Sequence, residues 1–81
     1  MKIATHKLAT SWILEAHPAY KVYSNENSYV IVDKDSDVVL GFTIDNTVLD
    51  VTRSSWNVCY KVRIDTRTIT ITTDPEEDEE E

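Results

Sequence analysis

Seven of the last eight residues are carboxylic acids: Asp74, Glu76, Glu77, Asp78, Glu79, Glu80 and Glu81, with Pro75 as the exception. An extended chain advances about 3.3–3.6 Å per residue. Each strand of a DNA duplex offers one negative charge per roughly 3.4 Å of helix axis. The acid run therefore matches the linear charge density of one DNA strand. It could enter a basic groove built for nucleic acid and displace the same counterions. Screening limits its attraction to about 8–10 Å at physiological salt, so such binding is expected to be strongly salt-dependent. A second acidic group is Asp33, Asp35 and Asp37, in the stretch Asp33-Lys34-Asp35-Ser36-Asp37. Acids at positions 1, 3 and 5 open the EF-hand calcium loop, whose position 6 is glycine and position 12 glutamate. Here those places hold Val38 and Ile44. The stretch is therefore expected to be a hairpin turn that could extend an acidic binding surface. No metal site and no cofactor are expected.

The remaining reactive side chains are few. His6 and His17 are the two histidines, and neither adjoins a serine or cysteine in a nucleophile motif. Cys59 is the single cysteine, so it can neither staple the fold nor build a structural zinc site alone. Strand alternation places it on a polar face with Lys61, which could lower its thiol pKa modestly. The chain has one glycine, so it has no glycine-rich phosphate loop. These residues predict a protein that is not an enzyme. Lys61, Arg63 and Arg67 share the outer face of the last hairpin with Thr70 and Thr72, where they could hold a nucleic-acid backbone. No aromatic interleaves them, so the stacking platform of single-strand binders is missing there. Trp12 and Trp56 both fall on apolar faces and are assigned to the core.

The elements that must position these groups follow from periodicity. At 81 residues the chain supports one domain with a thin core. Residues 1–73 hold eight bases and eight acids, so the net charge of −7 resides entirely in the tail, 74–81. Pro75 has no amide donor and interrupts sheet pairing arriving from residue 73. Ala4, Leu8, Trp12 and Ala16 fall four apart, with Ile13 adjacent, which predicts an N-terminal helix ending near His17-Pro18. The alternative is a short first strand, with the helix beginning after Thr10-Ser11. Beyond Pro18 the period becomes two. Strands are expected at 20–23, 29–32, 38–44 and 48–51, with Gly41 marking a bulge or a close approach. In the last hairpin Trp56, Val58, Tyr60, Val62 and Ile64 alternate with polar residues, and its turn is expected to oppose Ile64 to Ile69 and Val62 to Ile71. The fold class inferred is α+β: a helix packed on a four- to five-stranded antiparallel meander, with a small helix-capped barrel as the variant.

No apolar run reaches the roughly 18–20 residues of a membrane span. The start, Met1 to Lys7, has charges with no apolar block behind them, so no signal peptide is expected. With a lone cysteine this predicts a cytoplasmic, reduced setting. In size, acidity and want of catalytic residues the chain resembles the small acidic proteins that bacteriophages make to disable host proteins, several of which mimic DNA. That resemblance implies a non-enzymatic inhibitor acting in the host cytoplasm. Its partner would be a basic DNA-binding protein, such as a nucleoid-associated protein of the histone-like kind, with no direct contact to nucleic acid. Such mimics often spread acids over the folded body. Here the acids are concentrated at one end, which predicts a tail-led version using Asp74, Glu76 to Glu81 and the Asp33–Asp37 turn. Two rivals are a nucleic-acid-binding domain using Lys61, Arg63 and Arg67 with an autoinhibitory tail, and a structural or assembly protein with a solubilising tail.

Overall fold

The computed structural model describes residues 3–73. Among them are eight strands and one 3-10 turn, arranged as two four-stranded sheets. The first sheet contains β1 (Ala4–Lys7), β2 (Ile13–Ala16), β7 (Tyr60–Arg63) and β8 (Thr68–Ile71), in the spatial order β1-β2-β8-β7. The second is a meander of β3 (Lys21–Asn25), β4 (Ser28–Val32), β5 (Val38–Asp45) and β6 (Val48–Ser54). The domain is therefore a β-sandwich, not α+β.

The expected N-terminal helix is absent, and the reason lies in its spacing. Residues four apart share one face of a helix, but four is also twice the strand period, so they share one face of a strand as well. The neighbours at 13 and 14 break the tie. A helix would turn both toward the core, whereas a strand buries one and turns the other out. Leu14 is buried and Ile13 only half-buried, as in a strand. The chain folds back between β1 and β2 at Ala9–Ser11, where Thr10 and Ser11 both take positive φ, 54° and 69°. Leu8 N–H donates to Trp12 O at 2.8 Å and closes the loop.

Each sheet buries one face against the other, because an alternating strand has a single apolar side to hide. Leu14, Ala16, Ile69 and Ile71 face inward from the first sheet. Tyr29, Ile31, Leu40, Phe42 and Ile44 meet them from the second. Trp12, fully buried, joins the same cluster, and Tyr29 stacks on Phe42 with ring centroids 5.3 Å apart. The last hairpin keeps the expected faces but shifts register by two residues, so that Val62 opposes Ile69 and Tyr60 opposes Ile71. A two-residue slip preserves the apolar side, which is why alternation alone does not set it. Ile64 passes into the turn and is exposed. This hairpin also leaves the meander, because β8 pairs in parallel with β2.

Gly41 marks both of the features expected of it. β6 bulges at Thr52, where the register shifts opposite Gly41 and Phe42. A Cβ at position 41 would lie 3.3 Å from Thr52 Oγ1.

No helix among the described residues is long and apolar enough to cross a membrane. Because Trp12 is fully buried in a thin core, Trp12→Ala is expected to cost about 3–5 kcal/mol. That is a large share of the total stability of a small domain. A urea titration followed by far-ultraviolet circular dichroism would measure the loss of midpoint.

Candidate functional site

The Asp33–Asp37 stretch is a hairpin turn between β4 and β5 that caps itself. Asp33 Oδ1 accepts the backbone N–H groups of Asp35 at 2.9 Å and of Asp37 at 3.0 Å. The Asp33 carbonyl accepts Ser36 N–H at 3.0 Å, and Asp33 N–H donates to Asp37 O at 2.9 Å. An aspartate that holds two amides of its own turn stabilises that turn locally. Asp33 therefore spends its carboxylate on the backbone, while Asp35 and Asp37 stay exposed. The three acids are equal in sequence but not in role. Among the described residues no three His, Cys, Asp or Glu side chains come together in an arrangement that could hold a metal ion.

The tail acids Asp74, Glu76, Glu77, Asp78, Glu79, Glu80 and Glu81 lie outside the described residues. Their point of departure is well defined. Thr73 O accepts the Tyr20 hydroxyl at 2.7 Å, and Thr73 Oγ1 accepts Cys59 N–H at 2.9 Å. Thr72 N–H donates to Cys59 O at 2.9 Å. Tyr20 is buried and leads directly into β3, whose first residue, Lys21, pairs with Val32 beside Asp33. Thr73, the last described residue, thus lies at the end of the sandwich that carries the Asp33–Asp37 turn.

The basic residues are arranged differently from expectation. Lys61 and Arg63 do point outward, in cross-sheet rows Thr5–Glu15–Thr70–Lys61 and Lys7–Ile13–Thr68–Arg63. Arg67 does not join them. Its guanidinium donates to Thr10 O at 2.9 Å, which ties the β7–β8 turn to the kink between β1 and β2. Lys7 takes its place on the face, brought there by the β1–β2 pairing that a helical reading of this segment hides. Two carboxylates temper these cations. Glu15 Oε1 accepts the Thr70 hydroxyl at 3.1 Å in the middle of the face, and Asp65 lies 4.0 Å from Arg63.

The two histidines lie in different surroundings. His17 Nδ1 accepts Ala19 N–H at 3.0 Å and so organises the turn at Pro18. His6 lies half-buried on the inner side of edge strand β1, opposite Leu14, with Nε2 buried and unpartnered. The Cys59 thiol is exposed, and its backbone N–H and C=O serve Thr73 and Thr72.

The two tryptophans part company. Trp12 is fully buried, but Trp56 is 95% exposed, against the expectation of a core residue. Alternation had been extended one step too far. Val58 N–H donates to Ser55 O at 3.1 Å, so residues 55–58 form a turn and Trp56 occupies its outer corner. Val58 is the first inward-facing residue of the hairpin. The sequence signal for this was the Ser54-Ser55 pair immediately before Trp56, a turn-favouring doublet.

No protein-family model, no curated protein and no solved structure matches this chain.

Removing the Asp33 carboxylate leaves two turn amides without their acceptor, so Asp33→Ala is expected to destabilise the domain by about 1–2 kcal/mol. Asp35→Asn and Asp37→Asn should change stability by less than about 0.5 kcal/mol, as exposed substitutions do. Thermal unfolding of the three variants separates the turn-holding acid from the two available for binding. In a second experiment, acrylamide should quench only part of the tryptophan emission. Trp56→Phe should abolish the quenchable, red-shifted component and leave the protected emission of Trp12.

Proposed function

We propose that this protein is a non-enzymatic inhibitor of the bacteriophage type, whose acids compete with nucleic acid for a basic DNA-binding protein in the host cytoplasm. The observation that carries this proposal is the position of Thr73. Its backbone carbonyl is held by Tyr20, at the head of the strand that pairs beside Asp33. Thr73, the last described residue before the seven tail acids, and the exposed Asp35 and Asp37 therefore lie toward the same end of the domain. Eight extended residues reach at most about 26–29 Å. That is ample to lie along a basic groove while the turn aspartates stand at its rim. The body supplies the rigid support, and the tail supplies charge at phosphate-like spacing.

A nucleic-acid-binding domain is the second reading. Lys7 on the same outer face as Lys61 and Arg63 favours it, whereas its place on the opposite edge strand, Glu15, Asp65 and the diversion of Arg67 count against it.

The test uses a histone-like nucleoid protein bound to a fluorescent DNA duplex. The full chain is expected to release the duplex without binding it. Replacing Glu76, Glu77, Asp78, Glu79, Glu80 and Glu81 by glutamine should weaken release and flatten its salt dependence together. Each surface ion pair contributes only about 0–1 kcal/mol, so the loss should build gradually across partial substitutions. Tight DNA binding by residues 1–73 alone would sink the inhibitor proposal in favour of the nucleic-acid-binding one.

A further inference from the structure

Among the described residues the two sheets end in four edge strands: β1 and β7 in the first, β3 and β6 in the second. An open edge offers unpaired backbone groups to any strand that meets it, so proteins blunt their edges with charge, bulges or brevity. β6 bulges at Thr52. β1 and β7 have four residues each and carry Lys7 in the one, Lys61 with Arg63 in the other. β3 is different. All five of its residues, Lys21 to Asn25, pair with β4 in unbroken register.

The direction of its backbone groups follows from its neighbours. Asn27 O accepts Ile44 N–H at 2.9 Å, so Asn27, Tyr29 and Ile31 turn their backbone groups toward β5. Ser28, Val30 and Val32 turn theirs toward β3, where Asn25, Tyr23 and Lys21 oppose them. The N–H and C=O groups of Val22 and Ser24 therefore point away from the sheet. No turn or loop bond among the described residues engages either one. Side chains alternate likewise. Val22, opposite Ile31, packs half-buried against the core. Lys21, Tyr23 and Asn25 lie on the outer face, and Tyr23 is 57% exposed.

This edge is complementary to itself. When it is laid antiparallel on a second β3, about a twofold axis at Tyr23, all of its residues overlap. Val22 of one copy meets Ser24 of the other, and their outward N–H and C=O groups bond on both sides of the axis. The two Tyr23 rings meet at the non-hydrogen-bonded position, where cross-strand side chains come closest. Lys21 lies opposite Asn25 and one residue from Glu26, which is exposed in the β3–β4 turn. Each cation thereby gains a carboxylate. A parallel pairing would instead set Lys21 beside Lys21 and Glu26 beside Glu26. A slip of two residues would leave either Val22 or Ser24 without its counterpart.

We propose that β3 is the interface of a twofold homodimer, in which the second sheet continues from one copy into the other as a single antiparallel sheet. The contact is one short strand on each side, so the association is weak and depends on concentration. It is independent of the inhibitor proposal, which uses neither this edge nor Tyr23.

Sedimentation equilibrium of the full chain from about 10 μM to about 1 mM, the range of weak interfaces, is expected to show monomer and dimer in exchange. Over the same range the amides of Val22 and Ser24 should gain protection from hydrogen exchange. Ser24→Pro removes a donor that β4 does not use, so the native circular dichroism should be kept. Because the twofold axis repeats the loss, dimerisation should weaken by about thirtyfold or more. Tyr23→Glu alters an exposed side chain and sets two carboxylates opposite each other. It should weaken dimerisation at low salt and recover part of it at high salt. A chain that stays monomeric over the whole range overturns the proposal. So does a dimer that survives both substitutions, which would lie on another surface.

Discussion

The fold depends on the parallel pairing of β2 with β8. Ile13 opposes Thr68, Leu14 opposes Ile69 and Glu15 opposes Thr70. Without this seam the first sheet would be two separate hairpins, each too small to hold its shape in water. With it, Leu14 and Ile69 lie side by side as part of one apolar layer, and the meander gains a second sheet to pack against. The seam joins residues far apart in the chain, with Thr70 bonded to Glu15 across 55 positions. Its closure entropy must be offset by the core it completes. That core includes Trp12, at the entry to β2.

The turns that support the seam are held in unusual backbone conformations. Thr10, Ser11, Glu26, Ser36, Asn46 and Arg67 all have positive φ, and none is glycine. A left-handed conformation costs an L-residue about 1–2 kcal/mol, so neighbours must compensate. Three of these residues compensate one another. Thr10 O accepts the Arg67 guanidinium, Ile13 N–H donates to Arg67 O, and the Thr10 hydroxyl lies 2.8 Å from Asn46 O. The tip of the β5–β6 hairpin, the β1–β2 kink and the β7–β8 turn are thereby joined at one end. Arg67 is consequently a structural residue, and its charge is not available to the outer face.

The opposite end carries the Asp33–Asp37 turn and Thr73, and strand polarity brings the two together. β3 starts there, β4 gives way there to the Asp33–Asp37 turn, and β8 delivers Thr73 to the Tyr20 hydroxyl. The turn that exposes Trp56 opens from the same region, because Ser55 is bonded to Val39. The Trp56 turn, the self-capped Asp33–Asp37 turn and Thr73 thus lie toward one end of the sandwich. The mixed charge on the outer face of the first sheet lies away from the core and contributes to neither.

The strand alternation of the second sheet was legible in the sequence, because a half-buried strand must repeat every two residues. So were the apolar set Tyr29, Ile31, Leu40 and Phe42, the anomaly at Gly41, and the turn at Asp33–Asp37. The charge division between body and tail is read directly from composition. The N-terminal segment was ambiguous for a geometric reason: Ala4, Leu8, Trp12 and Ala16 satisfy a period of four and a period of two equally well. Only burial of Leu14 with Ile13 turned aside, imposed by the partner strand β8, decides for strand. The hairpin register was likewise undetermined, since a slip of two keeps every residue on its face. Tertiary structure alone decided that Arg67 turns to Thr10 while Lys7 joins Lys61. It also decided that Trp56 stands in water, because these depend on pairings between segments distant in the chain, which local patterning does not encode.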